Sequence, residues 1–277
     1  MRTIHQVHPE DFGKYNTKQI RDRFLLDKLI QPNAINCIYT HYDRMIVGAA
    51  TPANVPLTLG TYTELKSDYF LDRREMGIIN IGTTGIITVD GEKYELNKLD
   101  CLYIGKGKKE IVFSKTDDTN TQAKFIFFSC PAHAAYPVQL MPSSDATPSE
   151  MGSADTANQR TINKYIHLDG LKSCQLVLGV TNFKPGSIWN TMPPHTHDRR
   201  MEVYFYFDLT ETQRIIHFMG EPQETRHLFL NNEEGVLSPA WSIHCGVATA
   251  SYSFIWAMAG ENMSFTDMDQ VNLSTLH

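Results

Sequence analysis

The sequence predicts an all-β fold of two jelly-roll β-barrel lobes with a short N-terminal helix. Three observations carry this. Short apolar or alternating runs recur along the chain, bounded by turn residues. A stretch rich in Pro, Ser, Ala, Asp and Thr at 131–158 divides the runs into two series. The second series then repeats features of the first in the same order.

Residues 1–12 are polar and are expected to wrap a surface. Asn16 followed by Gln19 reads as a capping box. Ile20, Phe24 and Leu25 continue at helical spacing, which predicts a helix to about Ile30 packed on the outside of a sheet. Strands follow at 36–42 and 45–49, joined across Asp43-Arg44, and at 76–81. Residues 85–89 and 92–96 form a hairpin across Asp90-Gly91, a dipeptide suited to a tight two-residue turn. Strands at 100–105, 110–114 and 124–128 complete the first series. After the connection, strands are predicted at 160–166, 173–181, 203–207, 215–219, 227–230, 235–238 and 252–258. The polar tail after Glu261 is expected to dock on a neighbour. These features divide the chain into an N-terminal lobe, 1–135, and a C-terminal lobe with its linking segment, 136–277.

The 277 residues, 42% hydrophobic and 20% charged, describe an ordinary globular protein. A formal net charge of -6 leaves no footprint for nucleic acid or an anionic membrane. A small anionic substrate remains compatible if positive residues cluster locally. Cys37, Cys101, Cys130, Cys174 and Cys245 are scattered, without a CxxC pair, and read as buried reduced thiols. The start, Met1 to His5, lacks an apolar signal core. No run reaches the roughly 18 apolar residues of a membrane span. The cytoplasm is the expected compartment.

The repeat is most specific at two charged pentads. Asp72-Arg73-Arg74-Glu75-Met76 precedes a strand in the first series, and Asp198-Arg199-Arg200-Met201-Glu202 precedes one in the second. The Asp90-Gly91 turn falls where Met219-Gly220-Glu221-Pro222 falls later. Glu110 stands where the second series has His244.

The second series alone carries His195-Thr196-His197. Side chains alternate along extended backbone, so the two histidines point the same way. Glu202 opens a strand, and His244 follows the turn at Pro239. Three imidazoles and a carboxylate suit a divalent transition ion and leave positions open for water or substrate. His195, His197, Glu202 and His244 are therefore the expected ligands, placing the metal in the C-terminal lobe only. Cys245 should face away from His244 and is not among them.

The same His195, His197, Glu202 and Pro239-to-His244 elements resemble the metal motifs of the cupin superfamily, which implies a bicupin. The flanking glycines depart from that pattern: Gly186 is displaced, and Trp241 stands in place of a common glycine. More narrowly, the chain resembles the 5-keto-4-deoxyuronate isomerases over essentially its whole length. The stretches that carry the likeness are 69–71, 77–82, 160–165, 189–193, 195–207, 222–227 and 260–262. The resemblance implies a homo-hexameric enzyme of pectin and uronate catabolism with one zinc ion per subunit. It would interconvert 5-dehydro-4-deoxy-D-glucuronate and 3-deoxy-D-glycero-2,5-hexodiulosonate, with His195, His197, Glu202 and His244 holding the zinc.

Such an isomerase must polarise a carbonyl, remove an adjacent proton and stabilise the resulting charge. Counting by twos from Glu202 puts Tyr204 and Tyr206 on its face, as candidates to bind substrate or relay a proton. Lys164 or Tyr165 is a further candidate, then Glu224 and His227. For the substrate carboxylate, the planar fork of arginine is apt, which singles out Arg160, Arg199, Arg200 and Arg226. Trp189 and Trp241 are candidates to wall the pocket. Three other readings compete: a 5-deoxyglucuronate isomerase of inositol catabolism, an Fe2+ or Mn2+ cupin dioxygenase, and a non-catalytic sugar- or metal-binding module.

Overall fold

The structure is a computed structural model that describes residues 1–116, 122–261 and 263–277. The chain divides into two units interleaved in sequence. The first comprises Met1–Thr3, Lys28–Thr147 and Tyr165–Leu178, and the second Ile4–Asp27, Pro148–Lys164 and Gly179–His277. A cut at 135/136 places residues 4–27, 136–147 and 165–178 differently. The reason for the first difference is packing: Phe12 lies edge-on to Trp241, Arg21 donates to the Phe229 carbonyl, and Arg226 donates to that of Gly13.

Both units are sheet-on-sheet structures of one plan. In the first, a seven-stranded sheet runs in the order Arg2–Ile4, Ala34–Thr40, Ile46–Thr51, Phe125–Pro131, Arg74–Asn80, Cys101–Ile104, Gln139–Met141. Its four-stranded partner runs Leu57–Thr58, Ile111–Lys115, Gly85–Val89, Glu92–Leu96. In the second, the seven-stranded order is Thr147–Met151, Arg160–Ile166, Val177–Phe183, Ser253–Gly260, Arg200–Phe207, Glu234–Ser238, Leu25–Leu26. The four-stranded sheet there is Trp189–Asn190, Ile243–Ala248, Ile215–Glu221, Glu224–Leu230. The fold is the expected all-β pair of jelly rolls, and among the described residues the only α-helices are Pro9–Phe12 and Thr17–Phe24.

The capping box at Asn16 and Gln19 forms with both its hydrogen bonds, but the helix stops at Phe24 rather than near Ile30. Leu25 turns to extended backbone because it pairs with Val236, and Leu26 pairs with Gly235. Ladder hydrogen bonds and burial of both leucines outweigh their helix propensity. The stretch at 131–158 also holds more structure than a bare connection, since Gln139–Met141 pairs with the Cys101–Ile104 strand. The Asp90-Gly91 turn is as read: both residues have positive φ, 48° and 89°, as a tight hairpin demands.

In the first unit, apolar side chains stand at the described positions that correspond to the ligand-bearing strand of the second. Met76 and Ile78 stand where the aligned pentads put Glu202 and Tyr204, and they pack with Leu102, Ile104, Ile111, Phe113, Phe125 and Phe127 in an apolar core. Glu110 is exposed, with its backbone N–H on Asp90 Oδ1. Glu75, next to Met76, is fully buried. Its Oε1 accepts the N–H groups of Gln175 and Leu176 at 2.9 and 3.0 Å, and its Oε2 accepts Cys174 N–H at 2.7 Å and the Tyr103 hydroxyl at 2.8 Å. One carboxylate thus fastens the 174–176 segment within this unit. All five cysteines are free thiols, and four are buried. Among the described residues no helix is long and apolar enough to cross a membrane.

Candidate metal centre and cavity

His195 and His197 lie on a short extended segment reached through Pro193 and Pro194. His195-Thr196 pairs with Asp269–Gln270, and His197 N–H donates to the Ala240 carbonyl at 3.1 Å. Glu202 lies near the start of the Arg200–Phe207 strand, opposite Met258 and Ser238. His244 lies near the start of Ile243–Ala248, opposite Met219. These elements bring one donor atom from each of the four residues to within 4.8 Å of the others, all buried.

The contacts are close. His195 Nε2 is 3.2 Å from His197 Nε2 and 3.0 Å from His244 Nε2. Glu202 Oε2 is 3.0 Å from His197 Nε2 and 2.9 Å from His244 Nε2. His197 Nδ1–H donates to the Asp267 carbonyl at 2.8 Å, and His244 Nδ1 lies 3.4 Å from the Ser242 carbonyl and 3.3 Å from Ser238 Oγ. Carbonyls only accept, so these rings carry hydrogen on Nδ1 and turn Nε2 lone pairs inward. Lone pairs crowded this way repel unless a cation stands among them. Separations near 3 Å suit donors each about 2.0–2.2 Å from a common ion. Burial, reinforced by His244, lowers the His195 pKa to about 2, so that ring is neutral and able to donate. Burial opposes ionisation of Glu202, yet His244 and the hydrogen bonds of His197 and His244 hold its carboxyl well below the usual range. The set fits a divalent ion.

Three of the four, His195, His197 and Glu202, line a cavity of about 370 Å³ within the second unit. Arg160 is the single lysine or arginine among the described residues lining it, with one guanidinium nitrogen on the Asn158 carbonyl at 2.8 Å. Tyr204 lines it too, its hydroxyl 2.9 Å from Thr191 Oγ1. Burial, then the charge of Glu202, pushes the Tyr204 hydroxyl far above its ordinary range, so it stays a protonated donor. Tyr206 lies deeper, 2.7 Å from His217 Nδ1, outside the cavity lining.

Other residues singled out by sequence sit elsewhere. Arg199 is tied to Asp267 and Asp269 by ion pairs of 2.7 and 3.0 Å. Arg200 is buried, against the carbonyls of Ser264, Phe265 and Asp267. Arg226 pairs with Glu224 at 2.6 Å, and His227 packs on Phe229. The Lys164 ammonium lies 5.5 Å from the Phe265 ring centre, while Tyr165 donates to the Leu99 carbonyl inside the first unit. Trp241 packs on Phe12 and Trp189 stacks on Phe218, so neither walls the cavity.

The aromatic wall is instead Trp256 with Phe254 and Phe265. Trp256 stands directly across the ladder from Tyr204, and Met258 from Glu202. Knowledge of that pairing would have found both, because residues opposite one another share a face. The tail after Glu261 also contributes: Phe265, Met268 and Gln270 line the cavity. Of the 260–262 stretch, Asn262 lies outside the described residues.

Comparison with known proteins follows the same lines. The profile of the KduI/IolB family matches residues 27–274. The "4-deoxy-L-threo-5-hexosulose-uronate ketol-isomerase" of Halalkalibacterium halodurans is 51% identical over 276 residues, covering 100% of both chains. The protein of the same name from Lachnoclostridium phytofermentans is 52% identical over 268 residues, 97% of each. Among solved structures, an IolB-like protein from Salmonella typhimurium superposes with a TM-score of 0.71 at 14% identity, over 90% of this chain and 96% of that one. Oxalate decarboxylase from Lactobacillus farciminis gives 0.56 at 9% identity, over 83% and 79%. At such identities the structural likenesses show the fold alone, a cupin-type double jelly roll. The chain belongs to the KduI/IolB family.

Proposed function

We propose that this KduI/IolB-family ketol-isomerase, an intramolecular oxidoreductase, interconverts 5-dehydro-4-deoxy-D-glucuronate and 3-deoxy-D-glycero-2,5-hexodiulosonate in uronate breakdown. Zinc held by His195, His197, Glu202 and His244 is part of the proposal. The observation that carries it is the convergence of four buried donors, three of which line a cavity whose lining also includes Arg160. Relatives about half identical over the full chain bear the uronate isomerase name, which favours this reaction over a 5-deoxyglucuronate isomerase.

The reaction moves a proton between neighbouring carbons as a carbonyl changes place. A bound divalent ion supplies Lewis acidity to the carbonyl and offsets negative charge developing on the oxygens. Arg160 binds the substrate carboxylate, orienting the chain of carbons toward the cluster. Tyr204, kept protonated by burial, donates a hydrogen bond to a substrate oxygen while Thr191 fixes its hydroxyl. Trp256, Phe254 and Phe265 exclude water from the reacting carbons. Tyr206, outside the lining and hydrogen-bonded to His217, has a supporting role. A homo-hexamer of such chains, without ligands in the first unit, completes the reading.

The test is an anaerobic NMR assay in deuterated water with zinc-loaded protein and its His244→Ala variant. Zinc-dependent formation of the hexodiulosonate in the parent protein alone supports the isomerase, and deuterium in the product identifies proton abstraction. No conversion at full metal occupancy would defeat the assignment and favour an oxygen-dependent enzyme.

A further inference from the structure

We propose that residues 264–270 are a built-in part of the metal centre, and that Arg199 and Arg200 are positioning residues that hold this strap so that the Asp267 carbonyl fixes the His197 ring. The inference rests on the reading of the four-residue cluster as a metal site.

The strap is held at several points. The Asp267 carbonyl accepts His197 Nδ1–H at 2.8 Å and Arg200 Nη2 at 3.2 Å. The Asp267 carboxylate takes Arg199 Nε at 2.7 Å on each oxygen, and Asp269 takes Arg199 Nη2 at 3.0 Å. Arg200, 1% exposed, also donates to the Ser264 and Phe265 carbonyls. Beyond Asp267 the strap pairs with the histidine segment itself, Gln270 against His195 and Asp269 against Thr196. Val271 N–H then donates to the Pro194 carbonyl at 3.0 Å.

Burying a guanidinium is costly unless its donors are met, and here backbone carbonyls of the strap meet several of them. An arginine so used makes the local backbone path hard to alter. What that path delivers is a carbonyl at hydrogen-bond distance from the one His197 nitrogen that does not face the cluster. The hydrogen bond selects the Nδ1–H form, leaves Nε2 as the donor atom and fixes the ring plane. Such outer partners govern metal affinity by about 10- to 100-fold. The strap also walls the cavity through Phe265, Met268 and Gln270, so one segment shapes both the ion's surroundings and the space above it.

Two measurements test this on the full-length protein. Zinc affinity is determined by competition with a chromophoric chelator for the parent, Arg199→Met, Arg199→Lys and Asp267→Asn. Long-range nitrogen–proton NMR of the metal-free proteins reports the His197 tautomer, assigned with His197→Gln. Arg199→Met and Asp267→Asn are expected to weaken zinc binding about 10- to 100-fold and to mix the His197 tautomers. Arg199→Lys, which keeps charge but not the fork, should recover part of both. Parental zinc affinity and an unchanged tautomer in Arg199→Met would overturn the proposal. If that variant does not fold, the near-isosteric Asp267→Asn decides. Should the parent itself bind no zinc, the metal reading fails separately, and the tautomer of the metal-free protein still decides whether the strap fixes the ring.

Discussion

Gly179 lies so close to Trp256 that a Cβ on Gly179 would stand 2.0 Å from the indole ring, and 2.6 Å from the Asn163 carbonyl. The glycine is what allows Trp256 to lie close against its neighbouring strand and wall the cavity. Gly179→Ala must therefore displace the indole, and the cavity side offers it room. We expect KM to rise about tenfold or more while kcat falls less, a split measured by steady-state kinetics on the uronate.

Arg160 is the lone lysine or arginine on the described lining of the cavity, in a chain of net charge -6. Removing it leaves no other lysine or arginine on the described lining to match a carboxylate. Arg160→Met should raise KM for the uronate by about 10- to 100-fold, the value of a charge-assisted bond of about 1.5–3 kcal/mol. A neutral analogue lacking the carboxylate should bind parent and variant equally in a calorimetric titration. Equal loss for both ligands would mean that Arg160 shapes the cavity and does not read charge.

The legibility of this site followed from which relations are local. Alternation over two residues joined His195 to His197, and counting by twos carried Glu202 to Tyr204. Each lies within one short stretch of neighbouring residues, where sequence spacing is spatial spacing. Trp256 and Met258 reach the same face through strand register, which lies some fifty residues away in the chain and leaves no local trace. Arg199 drew notice as a carboxylate binder because it sits beside the histidines, but its partners Asp267 and Asp269 come from the tail. The longer strands were readable because most alternate or are largely apolar, whereas short pairings such as Leu57–Thr58, Thr147–Met151 and Trp189–Asn190 were not expected. The end of the first long helix was not, because Leu25 is set by Val236 and not by its own neighbours.

Glu75 is expected to be the most sensitive polar position in the first unit. It is buried, accepting three backbone N–H groups and a tyrosine hydroxyl. Glu75→Ala strands all of these donors, and each unmet buried donor costs about 1–3 kcal/mol before local relaxation. A net loss of about 3–5 kcal/mol is expected, read as a lower urea midpoint with unchanged m-value if unfolding stays cooperative. Glu75→Gln should do little better, because its amide turns donors toward donors. Both variants should leave zinc affinity near that of the parent, since His195, His197, Glu202 and His244 all lie in the second unit.

His217 predicts a pH dependence. It is wholly buried, with Nδ1 2.7 Å from the Tyr206 hydroxyl and no hydrogen-bond partner for Nε2 among the described residues. Burial, reinforced by the nearness of His244, lowers its pKa from 6.5 to about 3. The folded protein therefore keeps His217 neutral while the unfolded chain takes up a proton below about 6.5. The unfolded state binds more protons across this window, so stability is complete above 6.5 and falls as pH drops toward 3. The slope approaches about 1.4 kcal/mol per pH unit, or roughly 2 kcal/mol between pH 6.5 and 4.5. His217→Asn retains a polar group beside Tyr206 but cannot titrate. Other acid-sensitive groups, Glu202 and His195 among them, are common to both proteins and cancel in the difference. Urea titrations at pH 7, 5.5 and 4.5 should show the gap between parent and variant closing as pH falls, and a constant gap would mean that His217 takes up its proton in the folded state.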